Sequence, residues 1–424
     1  MKSQQRTARW HRRRVASAVI VTVTVATALT VAGCSSSSSS NQTGGAAPGA
    51  TGAAAAVGTG SSDPAPAGSP VKIGVIYTND NPLGDSPEIA NAAEAAQSYI
   101  NAHGGMGGRP LQIQTCNEMN NPQADIQCAT SFVNGGEISV VGLGGLWGEN
   151  GLSVIEKAGI VNQTIAISGP EFSSPLAYPF NGELVTGGNA IAKYAAAHGD
   201  TSVACVYRDV ASLQQGCVQY FADRAKAAGI KNVTLIPVPP SATDLTQYVQ
   251  QIAQSKAQLV YSDDSEPDNI QMIQDAQQLG ANVMWALPGD SARSDFFSTL
   301  KGLADGTLFY ADQKFPTDTS DPDVALYLQV MKQYQPSALI DSTSIEAFST
   351  LMTLKALADR IGGQNMTKTG LVSALNNLKP LQEFMGPVLS SSTHIPGYPH
   401  AYHTGAYVYQ YKNGGYVQAG YYTY

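Results

Sequence analysis

Short apolar runs rich in β-branched residues alternate with stretches of helical period along most of the chain. Val71–Tyr77 predicts a strand, and a helix follows near Pro87–Asn101, with Ile89, Ala93, Ala96 and Ile100 on one face. Leu111–Thr115 predicts the next strand, then a helix carrying Ile126, Ala129 and Val133; Ser139–Gly142 and Thr164–Ser168 continue the series. A second series runs through Ser202–Tyr207, Asn232–Pro237, Ala257–Ser262, Asn282–Ala286 and Thr307–Tyr310, separated by helical stretches such as Ile270–Leu279. Strands without polar alternation, each followed by a helix, imply α/β architecture with parallel, doubly wound sheets covered on both faces. After Tyr310 the pattern turns helical, near Pro322–Tyr334, Ser344–Ile361 and Thr369–Leu378, and a Tyr-, Gly- and His-rich tail predicts extended chain. A helical block between strand-rich blocks suggests that the chain crosses between two lobes more than once.

The N-terminus follows a different logic. Met1–Arg14 carries Lys2, Arg6, Arg9, Arg12, Arg13 and Arg14 and no acid; Val15–Thr30 is apolar or Thr-rich; Val31-Ala32-Gly33-Cys34 ends the run. Small residues before a cysteine form a lipoprotein signal pattern, in which a diacylglyceryl group is attached to the Cys34 thiol. An uncleaved membrane anchor is the competing reading, and the arginines leave both general secretory and twin-arginine export open. The segment from Ser35 to Pro70 is Ser, Gly, Ala, Thr and Pro almost throughout, which cannot bury a core and predicts a flexible tether. About 350 residues remain, enough for two lobes at roughly 150 residues each.

Charge and cysteine content narrow the function. The leader holds six of the 24 basic residues and none of the 32 acidic ones, so its loss takes the net charge from −8 to −14. An anionic surface of this kind disfavours nucleic acid as a partner. Besides Cys34 there are four cysteines, and Cys116 and Cys128 are twelve positions apart, as are Cys205 and Cys217. In each pair the first lies in a strand-like run and the second on the following helix, so two structural disulfides are expected in an oxidising compartment. A zinc site is the rival, but no C-x2-C spacing occurs.

Ligands of open parallel sheets sit beyond the carboxyl ends of the strands. The segments there are Thr78–Ser86, Gly142–Gly151, Ser168–Pro175, Arg208–Gln215, Asp263–Asn269 and Pro288–Asp295. Trp147 offers an aromatic platform, and Asp263, Asp264, Glu266, Asp268 and Asp290 concentrate acid where an amine-bearing group would be favoured. Each of these acids except Asp290 reads more simply as a solvated helix N-terminal residue that stabilises the dipole.

Ile100-Asn101-Ala102-His103-Gly104-Gly105-Met106-Gly107-Gly108-Arg109-Pro110-Leu111 resembles the Ile-Asn-x-x-Gly-Gly-x-x-Gly-Arg-x-Leu signature of ABC-importer substrate-binding proteins of the branched-chain amino acid (Leu/Ile/Val-binding) type. The resemblance continues through Asn121-Pro122, Ala158-Gly159-Ile160, Asp244, Gly289-Asp290 and Asp321-Pro322. It implies a type I periplasmic-binding-protein fold: two lobes, a three-stranded hinge, and a ligand enclosed when the lobes close. The implied division is a signal peptide at 1–33, a lipidated tether at 34–70, one lobe from 71–187 plus 312–386, and another from 188–311 plus 387–424. In the tail, Gly386-Pro387-Val388 marks the return to the second lobe.

The resemblance also implies ligand positions. Leu146, beside Trp147, stands near a serine that holds the amino acid's carboxylate, and Ser168-Gly169-Pro170-Glu171-Phe172-Ser173-Ser174 brings Ser173 or Ser174 near a carboxylate-binding threonine. Leu213 and Ser265, the latter after Asp264, stand where the family has tyrosines, and Asp290 keeps the acid that faces the α-ammonium group. Losing directed donors changes affinity by tenfold or more. The expectation is therefore a lipid-anchored extracytoplasmic monomer, without cofactor or metal, that binds a small polar solute bearing an amino or amide group and delivers it to an ABC permease. A sensory module with the same fold is one alternative. An enzyme is the other, since His394, His400 and His403 could supply metal or acid–base groups; their spacing is not that of a zincin, and tail histidines of this kind are expected at the surface. No G-x-S-x-G or P-loop occurs, and Trp147 breaks any nucleotide loop at Gly142–Gly148.

Overall fold

The computed structural model describes residues 63–80, 85–143 and 148–424. The leader, Cys34, most of the tether, Leu146 and Trp147 lie outside the described residues. All the described residues belong to one compact unit, Ala56–Tyr424.

Four strands form the first sheet: β1 (Val71–Tyr77), β2 (Leu111–Asn117), β3 (Ser139–Leu143) and β4 (Val161–Ile165), in the order β2-β1-β3-β4 and parallel throughout. The second sheet takes β5 (Ser202–Arg208), β6 (Asn232–Val238), β7 (Leu259–Asp263), β8 (Met284–Pro288) and β9 (Leu308–Ala311), all parallel in the order β9-β8-β7-β5-β6. Two short strands, β10 (Leu381–Gln382) and β11 (Val388–Leu389), pair with each other. The tail supplies β12 (Gly405–Lys412) and β13 (Gly415–Thr423), a hairpin that extends the second sheet antiparallel to β9. The parallel, doubly wound expectation holds for both sheets; the antiparallel hairpin is an addition to it.

The central strands of both sheets are buried on both faces. On the first sheet, Ile73 and Val75 pack under helices Glu88–Ala102, Pro322–Tyr334 and Ser342–Ile361, while Ile76 and Val140 face Phe132 and Leu152 on the other side. A Cβ on Gly74 would lie 2.7 Å from the ring of Phe132, so close packing of helix on strand dictates the glycine. The turn that carries the resemblance behaves as its composition requires: Gly104, Gly105, Gly107 and Gly108 all have φ between +58° and +90°. Asn121 and Asp321 each cap a helix that opens with proline, accepting from two backbone N–H groups.

The chain passes between the cores repeatedly. Phe180 is buried in the first core and Leu184 in the second; Phe315 lies with the second sheet and Val324 back in the first core; Tyr402 belongs to the first and Ala406 to the second. The last return comes later than Gly386-Pro387-Val388, because β10 and β11 close on each other first and bury Leu381 and Leu389 in the first core. The fourth strand also ends three residues early: Ser168 caps a helical turn, Gly169–Ser173, that draws Ala166 and Ile167 out of the ladder. Both expected disulfides form, Cys116–Cys128 with Cα atoms 5.6 Å apart and Cys205–Cys217 with Cα atoms 5.9 Å apart, each closing a strand onto its following helix. Among the described residues no helix is long and apolar enough to cross a membrane.

Candidate ligand site between the two sheets

Strands β7, β8 and β9 run in register, so their carboxyl ends lie side by side. Acid follows each end: Asp263, then Gly289-Asp290, then Asp312. Facing them is the N-terminal turn of helix Ser342–Ile361, whose Asp341 cap accepts from the Ser344 N–H at 3.0 Å. Between the two lies a small cavity, walled by Asp290 and Asp312, by Glu183 from the first passage, and by Ser342, Thr343 and Glu346. A Cβ on Gly289 would sit 2.9 Å from Ser342 Cβ and from Tyr310 O, so only glycine lets the two halves approach this closely.

The cavity is lined with carboxyl groups. Carboxylate oxygens of Glu183, Asp312 and Glu346 lie within 4.8 Å of one another. Burial, reinforced by Asp312, pushes Glu183 up to about 8. Burial and then Glu183, whose carboxyl group lies at hydrogen-bond range, raise Glu346 well above the ordinary range, and no N–H or hydroxyl group of the described residues donates to its Oε2. Burial also raises Asp290, against the pull of Arg293, and burial with Asp290 and Asp264 takes Asp263 to about 8. Arg293 does not neutralise the cavity, because it is paired with Asp341 at 2.7 Å and Glu88 at 2.8 Å.

A second buried network fixes the passages. Asp312 Oδ2 accepts from the backbone N–H groups of Gly182 at 2.7 Å and Glu183 at 2.8 Å, and its Oδ1 accepts from the Thr186 hydroxyl at 2.8 Å. His403, fully buried, places Nδ1 2.8 Å from Glu383 and Nε2 2.7 Å from Gly405 O, with Asp312 at 3.6 Å. With acceptors at both ring nitrogens, the imidazole must donate twice and is cationic. Burial opposes that charge, but Glu383 and Asp312 overcome it and raise His403 to about 9. The surface expectation for the tail histidines is therefore corrected at His403, and His400 stacks on Tyr178 at 4.3 Å between centroids. No sequence spacing marks His403, since its partners come from residues 312 and 383.

The residues singled out by sequence are dispersed. Asp290 lines the cavity. Ser168 is engaged with Glu171 as a helix cap, Ser173 donates to Gly169 O at 2.8 Å, and Ser174 accepts from the Leu176 N–H. Leu213 is buried in the second core. Asp264 pairs with Arg208 at 3.3 Å, and Ser265 caps helix Glu266–Gln278. Glu183 and Glu346 were not singled out. Glu346 shares its helix face with Ser342, Thr343, Ser349, Thr350 and Thr353, all buried, so the face that carries it is a polar stripe turned inward.

Sequence and fold both place the chain among known proteins. A periplasmic binding protein family profile covers residues 70–415. The chain belongs to that family. It is 23% identical over 331 residues to Leu/Ile/Val-binding protein homolog 3 of Brucella melitensis, covering 76% of this chain and 88% of that one. To Leu/Ile/Val-binding protein BraC3 of Rhizobium johnstonii it is 21% identical over 345 residues, with the same coverage, 76% and 88%. Among solved structures, the branched-chain amino acid transporter substrate-binding protein LivJ of Streptococcus pneumoniae, in complex with isoleucine, superposes with a TM-score of 0.66 at 14% identity, covering 84% and 99% of the two chains. A fatty acid ABC transporter substrate-binding protein from Thermomonospora curvata gives 0.71 at 14% identity, covering 85% and 94%. The type I fold and the resemblance to the branched-chain amino acid type are thereby established, and both curated relatives are named as solute-binding proteins.

Proposed function

We propose that the chain is an extracytoplasmic, lipid-anchored protein that encloses a small polar solute bearing an amino or amide group and delivers it to an ABC permease. The two lobes are built on the two sheets, residues 71–180 with 324–389 around the first and 184–315 with 406–424 around the second. The observation that carries this reading is Asp290, an acid at a strand end that opens onto the cavity between the sheets. An ammonium or amide N–H donates to it, and enclosure strengthens the bond by excluding water. Closure is a hinge motion selected by contacts to both lobes. Leu146, Trp147, Ser173 and Ser174 are the first-lobe positions that would complete the grip. A thermal-shift screen of amino acids, amides, amines and small sugars tests the reading, because a ligand that binds only the folded state raises the melting midpoint. A shift with none of them contradicts it. The lipid anchor has its own test: Cys34→Ala should move the protein out of the membrane fraction, and a variant processed and retained there as before removes the anchor.

A further inference from the structure

We propose that the solute carries net positive charge, with an ammonium or guanidinium group seated between Glu183 and Glu346 beside Asp290, and that these two glutamates are specificity-determining residues. This rests on the solute-binding reading and adds to it a charge class and two recognition residues.

The lining itself points this way. Glu183, Asp290, Asp312 and Glu346 bring four carboxyl groups to the cavity, and no Lys, Arg or His is among the described residues that line it. The nearby guanidinium, Arg293, is held by Asp341 and Glu88 and cannot turn inward without leaving both unpaired. Asp312 is already saturated by two backbone N–H groups and a hydroxyl. Glu346 is not: it is 1% exposed, it meets the Glu183 carboxyl group, and no N–H or hydroxyl group of the described residues donates to its Oε2. A buried acceptor left open in this way is built to receive a donor that is not part of the chain.

The donor must be a cation with several hydrogens. Oxygens of Glu183 and Glu346 lie within 4.8 Å of each other, so one nitrogen between them reaches both at the length of a charge-assisted N–H···O bond. An ammonium group offers three donors and a guanidinium five. Calcium needs six to eight oxygens, and the saturation of Asp312 leaves the site short of them. A zwitterionic branched-chain amino acid fits poorly for a different reason: its carboxylate would enter a cavity that holds four acids and no free base. The raised Glu183 and Glu346 agree with this, since without a cation their proximity is tolerated only by holding protons.

The test is calorimetric titration of the chain with 1,4-diaminobutane, agmatine, leucine and calcium chloride, repeated in Glu346→Gln and in Glu183→Gln, with melting of each empty variant as a folding control. The expected result is that one of the two organic cations binds at least tenfold more tightly than leucine and that each variant weakens it at least tenfold. Glu183 is only partly buried, so its variant keeps the test open if Glu346→Gln fails to fold. Tighter binding of leucine, no binding of either organic cation, or unchanged affinity in both variants overturns the inference while leaving solute capture intact. Calcium binding that depends on Glu346 also overturns it, assigning the cluster to an inorganic ion. If no solute of any charge binds, the solute-binding reading falls with it.

Discussion

His403 carries its charge where water does not reach, which makes it a pH probe of the passages between the cores. Its folded value, raised from 6.5 to about 9, means that its stabilising effect is complete below 6.5 and is lost as pH rises through 9, a loss of roughly 3 kcal/mol. Glu183 and Asp263, pushed up to about 8, act in the same direction, because the folded state keeps protons that the unfolded chain releases at lower pH. Urea unfolding of the empty protein should therefore show higher stability at pH 6 than at pH 9.5, and His403→Gln should flatten the upper part of that decline. A wild-type stability that rises over this interval contradicts the assignment. At the ligand, Asp290→Asn should weaken an amine-bearing solute about tenfold or more, the loss of one charge-assisted bond, as read by calorimetry; equal affinities would take Asp290 out of the site.

At the scale of elements, the two disulfides brace one strand–helix unit in each half. A loop of twelve residues stabilises by about 3 kcal/mol in the chain-entropy model, so Cys116→Ala/Cys128→Ala should lose about that much in urea unfolding while keeping solute affinity, since the bridge ties edge strand β2 to helix Pro122–Gly135 away from the cavity. Unchanged stability would show that the bridge is not formed in the protein. Elements such as these were legible in sequence where local chemistry set both ends: Asp321-Pro322 starts a helix at the expected residue because a capping acid and an N1 proline leave little choice. The fourth strand was misplaced because Ile165-Ala166-Ile167 is apolar whether it continues a ladder or leads into a cap. Asp290 was legible because the resemblance marks its position. Glu183 was not, because it reads locally as an ordinary helix N-terminal acid, and although Glu346 lies on a stripe of serines and threonines, only the topology brings the two together from positions 163 residues apart.

For the whole molecule, Arg293 links the halves. It stands after β8 in the second sheet, yet its guanidinium reaches Glu88 and Asp341 at the starts of two first-core helices, and both acids are buried. Removing it leaves two buried carboxyl groups facing each other, which costs about 3 kcal/mol and favours separation of the lobes. Arg293→Ala should therefore bind solute more weakly and show a larger radius of gyration in solution scattering, although Arg293 does not line the cavity. An unchanged radius and affinity would mean that the contact does not hold the lobes together. The most direct check of the central claim is a crystal structure grown with the tightest-binding solute from the thermal-shift screen. The account predicts the solute in the crevice, its nitrogen within hydrogen-bond reach of the Asp290 carboxyl group and residues of both lobes against it; a solute bound elsewhere, or held by one lobe with Asp290 facing water, would contradict it.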